Sequence, residues 1–285
     1  MKIGVSAYSF SRLMNSKGFT LFDAIKYAKE IGCDAIEFTE LQVPPGKTIQ
    51  DFAGELRAAC TEAGLSISCY AVSADFLNNP KGGQAEAERI KGAVDIARIL
   101  GAACMRHDAS WGIKDETPAG CRTYRDAVRL IAPAIRAVTE YAAPLGIRTT
   151  CENHGFFFQD SSRMEELVLA VAHPNFGLLV DIGNFLCADE PVLHALTTVM
   201  PYAVHIHAKD FLWKSGTGKR PDDSWFSTRG GDFLRGTILG HGVVPAAQAL
   251  SFIRNSGYNG TISLEFEGLE EPLDAIRRGI AVLKA

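Results

Sequence analysis

The sequence predicts a single (βα)8 TIM barrel, an α/β fold in which eight parallel strands close into a cylinder inside a ring of helices. Three observations predict it. Short apolar runs alternate with longer amphipathic segments eight times along the chain. The runs are apolar throughout, as strands of a sheet covered on both faces must be. The length, 285 residues, matches one such barrel, and no shift in composition marks a second domain. An open doubly wound sheet is the other architecture built from repeated strand–helix units. Eight units favour closure, and no GxGxxG follows the first run to mark a dinucleotide site. We therefore expect one domain over 1–285, with a long active-site loop over about 209–241.

Taken in order, the strands are expected at KIGVSAYS (2–9), DAIEF (34–38), LSISCYA (65–71), ACMRHD (103–108), IRTTCEN (147–153), FGLLVDI (176–182), YAVHIHA (202–208) and TISLEFE (261–267). Helices fall between them. The first, TLFDAIKYAKEIG, has Thr20 as its N-cap and Leu21, Ile25, Ala28 and Ile31 on one face. The second ends at Gly64, a residue suited to the left-handed position that closes a helix. Further helices are expected over 84–100, 117–145, 161–172, about 189–200, 243–256 and 272–284. Gly32, Gly64, Gly101, Gly146 and Gly257 each stand just before a strand, where a helix stops and the chain re-enters the sheet. The stretch 209–241 is the longest expected irregular segment, rich in Gly, Asp, Arg and Trp. A connection of that length is usually functional or disordered, and this one leaves the seventh strand beside His207, which suits a substrate-covering loop.

Composition narrows the partners. The net charge of −4 argues against nucleic acid and anionic membrane surfaces, which attract basic patches. No apolar stretch is long enough to span a bilayer, and MKIGVSAYSF lacks the apolar core of a signal peptide. The seven Cys are odd in number and show no CxxC spacing, which predicts free core thiols in a reducing cytoplasm.

Four polar residues end apolar runs: Glu152 in TTCENHG, Asp181 in LLVDIGN, His207 in VHIHAKD and Glu265 in ISLEFEG. A lone carboxylate at a strand end is often only a helix cap or a surface ion pair. Four from neighbouring parallel strands converge at the C-terminal mouth of a barrel, where such folds hold their chemistry. Carboxylates gathered there repel one another unless a cation neutralises them. Three carboxylates and an imidazole suit Mn²⁺, Mg²⁺ or Co²⁺ rather than a structural thiolate zinc.

The motifs CENHG, VDIGN, HIHAKD and SLEFEG, in this order and strand context, resemble the xylose isomerase-like sugar phosphate isomerase/epimerase superfamily of TIM barrels. The resemblance covers nearly the whole chain. It implies that Glu152, Asp181, His207 and Glu265 bind one divalent metal ion, Mn²⁺ first, with Mg²⁺, Co²⁺ or Zn²⁺ as alternatives. It also implies that Glu152 and Glu265 act as the acid/base pair on a small carbohydrate, next to its carbonyl and through an enediolate. Homo-oligomers occur in the superfamily. The chain departs from the sugar 3-epimerases at Asn184, where those enzymes have His, and at Trp213, where they have Arg. A lyase that eliminates from a keto-inositol or an oxidised glycoside fits the same enediolate. An abasic-site nuclease needs a His-rich zinc cluster and a basic face, which the sequence lacks. A sugar-binding barrel without catalysis is a further alternative.

Other candidates surround this quartet. Lys209 is expected to hold a sugar oxygen or act as a base. Glu37, His107, His154, Asn184 and Trp213 are expected to bind substrate, Glu37 with a structural ion pair as its alternative. His205 is expected one layer deeper, in a packed and hydrogen-bonded role. Glu267, two beyond Glu265, leaves the eighth-strand ligand open to one alternative.

Overall fold

The computed structural model describes residues 1–285, the side chain of Lys17 excepted. The barrel strands are β1 (Lys2–Ser6), β2 (Ala35–Thr39), β3 (Ser66–Val72), β4 (Cys104–His107), β5 (Arg148–Glu152), β6 (Phe176–Asp181) and β7 (Ala203–Ala208), closed by β11 (Thr261–Leu264). They are parallel and hydrogen-bonded in chain order, with β11 pairing back onto β1 through Lys2–Thr261 and Ile3–Ile262. The closed eight-stranded barrel is the predicted fold.

Helices α1 (Ser11–Lys17), α2 (Leu21–Glu30), α3 (Ile49–Ala63), α4 (Gly83–Leu100), α5 (Tyr124–Ala142), α6 (Ser161–Val171), α7 (Val192–Val199), α8 (Ala246–Asn255) and α9 (Pro272–Lys284) cover the outside. Thr20 caps α2 as expected, in a reciprocal box with Asp23. Gly64 closes α3 at φ 68°, a conformation costly for a residue with a Cβ. Helix α1 was not expected. The first strand stops at Ser6, three residues early, because the Ser6 hydroxyl accepts the Tyr8 amide and turns the chain into a short 3-10 segment that leads into α1.

One apolar core lies between barrel and helices, and a smaller cluster of Cys69, Cys104 and Leu179 packs inside the barrel. All seven Cys are buried and free. Burial pushes the Cys33 thiol up to about 12, as it does Cys60, so neither is a reactive thiolate. Among the described residues, no helix is long and apolar enough to cross a membrane.

The stretch 209–241 is not irregular. It carries a separate antiparallel sheet of β8 (Asp210–Lys214), β9 (Phe226–Ser227) and β10 (Phe233–Thr237), with β10 between the other two. Buried Phe211 and Leu234 pack with Cys187 beneath it. Asp210 fastens its base. This buried carboxylate accepts the backbone N–H groups of Phe211, Gly240, Gly242 and Val244 at 2.8–3.0 Å. Gly242 lies so close to the Asp210 carboxylate and the Phe211 carbonyl that a Cβ has no room there. We expect Asp210→Ala to destabilise the protein by about 3 kcal/mol, because several buried amides lose their acceptor together. Urea denaturation checks this; an unchanged midpoint refutes the anchoring role.

Candidate metal centre

The C-terminal ends of β5, β6 and β7 and the residue just past β11 bring Glu152, Asp181, His207 and Glu265 to one point. One ligand atom from each lies within 4.8 Å of all the others, and all four side chains are buried. His207 Nδ1 faces the three carboxylates, 3.6 Å from Glu152 Oε1, 3.6 Å from Glu265 Oε2 and 3.9 Å from Asp181 Oδ2. These separations are too long for hydrogen bonds, and His207 Nδ1 and Asp181 Oδ2 are buried without a hydrogen-bond partner. Asp181 Oδ2 is met only by the Lys209 ammonium at 3.3 Å, and His207 Nδ1 by no partner, which is the arrangement a cation site requires. The donor set therefore fits a hard divalent ion held by oxygen and one imidazole.

Glu37 sets the direction in which His207 points. Its carboxylate accepts from His207 Nε2 at 2.8 Å and from His205 Nε2 at 2.7 Å, in a barrel interior where Glu37 has no exposure. Nε2 is thereby occupied and Nδ1 is left for the cluster. Glu37 was expected to bind substrate. It lies too deep, because β2 runs on to Thr39, and Thr39 and Glu40 reach the cavity instead. His205 takes the buried, hydrogen-bonded position expected of it.

Charge is balanced within the cluster. Burial opposes ionisation of Glu152, but Arg106 and His207 hold its carboxyl well below the usual range. Burial likewise opposes ionisation of Glu265, yet Lys209 and His207 bring it down to about 2. Asp181 goes the other way, up to about 6, because burial and the two Glu carboxylates outweigh Lys209. Burial disfavours the charged form of His207, but Glu37 and Glu265 raise it well above the ordinary imidazole value. A cation held at Nδ1 would displace the proton there.

Lys209 is buried at the cluster's edge, 2.6 Å from Glu265 Oε2, 3.0 Å from Glu267 Oε1 and 3.3 Å from Asp181 Oδ2. Asn184 joins the two halves: its amide donates to Glu152 Oε1 at 3.2 Å, and its carbonyl faces Lys209 Nζ at 3.4 Å. His154 lines the cavity and bonds Asp108 through Nδ1 at 3.0 Å.

Besides Glu37, three expected substrate contacts do not line the cavity: Asn184, taken up between Glu152 and Lys209, His107 and Trp213. His107 points outward from β4, its ring packed against Phe76 and Phe176. Strand alternation makes its neighbour Arg106 the inward residue. Trp213 is 47% exposed on β8 and donates its indole N–H to Asp232, away from the cavity wall. Of the stretch 209–241, Lys209 is the one residue on that wall.

Arg106 was missed. Its guanidinium lies 2.5 Å from Glu152 Oε2 and 2.8 Å from Asp108 Oδ1, buried in the cavity floor. Cys104, Arg106 and Asp108 alternate along ACMRHDA, and that spacing carried the signal.

With this geometry in place, a family model described as xylose isomerase-like TIM barrel matches residues 25–285. The chain belongs to the xylose isomerase-like TIM-barrel family. Solved structures agree with this family's fold. A probable 3-DHS dehydratase, AsbF, from Bacillus anthracis superposes with TM-score 0.73 at 16% identity, covering 100% of this chain and 99% of that one. The 3-keto-D-glucoside 4-epimerase YcjR from E. coli gives TM-score 0.72 at 17% identity, covering 100% and 99%. A xylose isomerase-like TIM barrel protein from Mycobacterium smegmatis, in complex with magnesium, gives 0.73 at 17% identity, covering 99% and 95%. Comparison with curated protein sequences gave no significant match.

Proposed function

We propose that the protein is a divalent-metal-dependent isomerase or epimerase acting next to the carbonyl of a sugar or keto-polyol. The single observation that carries this reading is the convergence of Glu152, Asp181, His207 and Glu265 within 4.8 Å, with His207 Nδ1 left without a hydrogen-bond partner among the three carboxylates. These four residues would hold the ion, Mn²⁺ first by the donor set, with Mg²⁺, Co²⁺ or Zn²⁺ as alternatives. The ion would supply Lewis acidity beside the carbonyl, making the adjacent C–H easier to ionise.

The chain's own groups do the rest. Glu152 and Glu265 come from β5 and from the end of β11 and flank His207. One takes the proton from the carbon beside the carbonyl; the other, ionised at rest, delivers to the enediolate a proton relayed from solvent or, for Glu265, from Lys209 Nζ at 2.6 Å, which solvent then reprotonates. Return on the opposite face inverts the carbon; return to the neighbouring carbon moves the carbonyl. Arg106 and Asn184 fix Glu152, and Lys209 fixes Glu265, so each carboxylate is held in place before substrate arrives. His154, exposed on one side, is placed to hydrogen-bond a sugar hydroxyl.

A lyase of the same family is the second reading, favoured by Lys209. Its ammonium stands on the cavity wall beside Glu265 and can give a proton to a departing oxygen. Reaction in D₂O separates the two. Solvent deuterium in a sugar of unchanged formula is expected for the isomerase, whereas loss of water or an aglycone marks the lyase. Purified protein that neither retains nor takes up one divalent ion per chain would overturn both.

A further inference from the structure

The cavity is larger than the reaction requires. Its volume is about 640 Å³, in the range that holds drug-sized ligands. One end is the ligand cluster on β5–β7 and β11. The other extends over the segments that follow β1, β2 and β3, where no metal ligand lies.

This far chamber has its own chemistry. Met14, Phe19, Leu21 and Phe52 line it. Phe19 is held by stacking on buried Phe10, with ring centroids 5.5 Å apart and an interplanar angle of 12°. Phe52 is braced edge-on by Phe22 at 6.1 Å. The wall is therefore apolar, with two of its side chains aromatic and packed against further rings. Asn15, Glu40 and Gln42 give it a polar edge. The only Lys and Arg among the described lining residues, Arg106 and Lys209, both sit at the ligand cluster. Among the described side chains that line the far chamber, none is a cation.

We infer that the substrate is a neutral keto-glycoside whose aglycone is aromatic, with its sugar carbonyl at the ligand cluster and its aryl group against Phe19, Met14 and Leu21. The inference rests on the proposed function for the position of the sugar. An aromatic ring matches the wall in shape and buries apolar surface on both sides. Asn15 and Gln42 can bond a phenolic hydroxyl at the chamber's edge. A phosphate ester would enter beside Glu40, where none of the described lining side chains is a cation to offset its lost hydration.

Isothermal titration of the Mn²⁺-loaded protein with phenyl β-D-glucopyranoside, methyl β-D-glucopyranoside and a hexose monophosphate tests this. The phenyl glycoside is expected to bind at least about tenfold more tightly than the methyl glycoside, from the apolar area that the ring buries. Phe19→Ala is expected to erase that preference, and Phe19→Leu to retain part of it. Should Phe19→Ala fail to fold, Met14→Ala reads the same wall. Equal affinity for the two glycosides, tighter binding of the phosphate, or a preference that survives in folded Phe19→Ala would overturn the aryl chamber. Its failure is distinct from failure of the reaction. Deuterium incorporation into a keto-glycoside without aryl preference removes the chamber and keeps the reaction. Aryl preference without any turnover keeps the chamber and removes the reaction.

Discussion

Glu152→Gln is expected to lower kcat by at least about a thousandfold while the protein stays folded. In the proposed mechanism the change removes a metal ligand and half of the acid/base pair in one step, and positioned proton transfer alone contributes about 10²–10⁴-fold. Gln cannot accept the proton, and its amide is a poorer ligand for a hard cation than a carboxylate. It also withdraws the anion that Arg106 faces at 2.5 Å. Arg106 keeps Asp108 as a partner at 2.8 Å, so the guanidinium is not left buried alone and the fold should survive. Steady-state kinetics with a thermal melt on the same sample checks both halves. Activity within tenfold of the native protein, at normal metal content, would sink the two-carboxylate mechanism.

The second large effect is expected where no substrate reaches. Glu37→Gln should weaken divalent metal binding by about 10–100-fold, the usual cost of losing the carboxylate behind a ligating histidine. Glu37 holds Nε2 of His207 and His205 from inside the barrel, so its loss frees the His207 ring to turn and to change tautomer. Gln keeps the size and one acceptor, which separates charge and orientation from mere packing. Titration of Mn²⁺ followed by electron paramagnetic resonance reads the affinity directly. An unchanged dissociation constant would mean that Glu37 only fills space.

Much of this centre was legible because parallel strands in a closed sheet deliver their last residues to one rim. Glu152 and Asp181 end their strands, and His207 stands one residue before its end, so position along the chain was enough. Glu265 stands one residue past its strand and still reaches the cluster. What alternation alone decides was harder to read. ACMRHD offered both Arg106 and His107, and choosing the imidazole put the wrong face of β4 toward the cavity. Glu37 failed on depth instead. DAIEF seemed to end at Phe38, and only the pairing of β2 with β3 through Thr39 shows that Glu37 lies a layer below the rim. The 209–241 segment hid its sheet because DFLWK and FLRGT pair across 18 residues of Gly-rich and charged chain, so neither strand announces the other.

The barrel's inner filling has a further effect. Beneath the carboxylates the bore is stopped, first by Glu37 and His205, then by the Cys69–Cys104–Leu179 plug. Nothing can drain through the bottom. A ligand bound here must back out through the door by which it came, so under the proposed reaction a lingering product bars the next molecule.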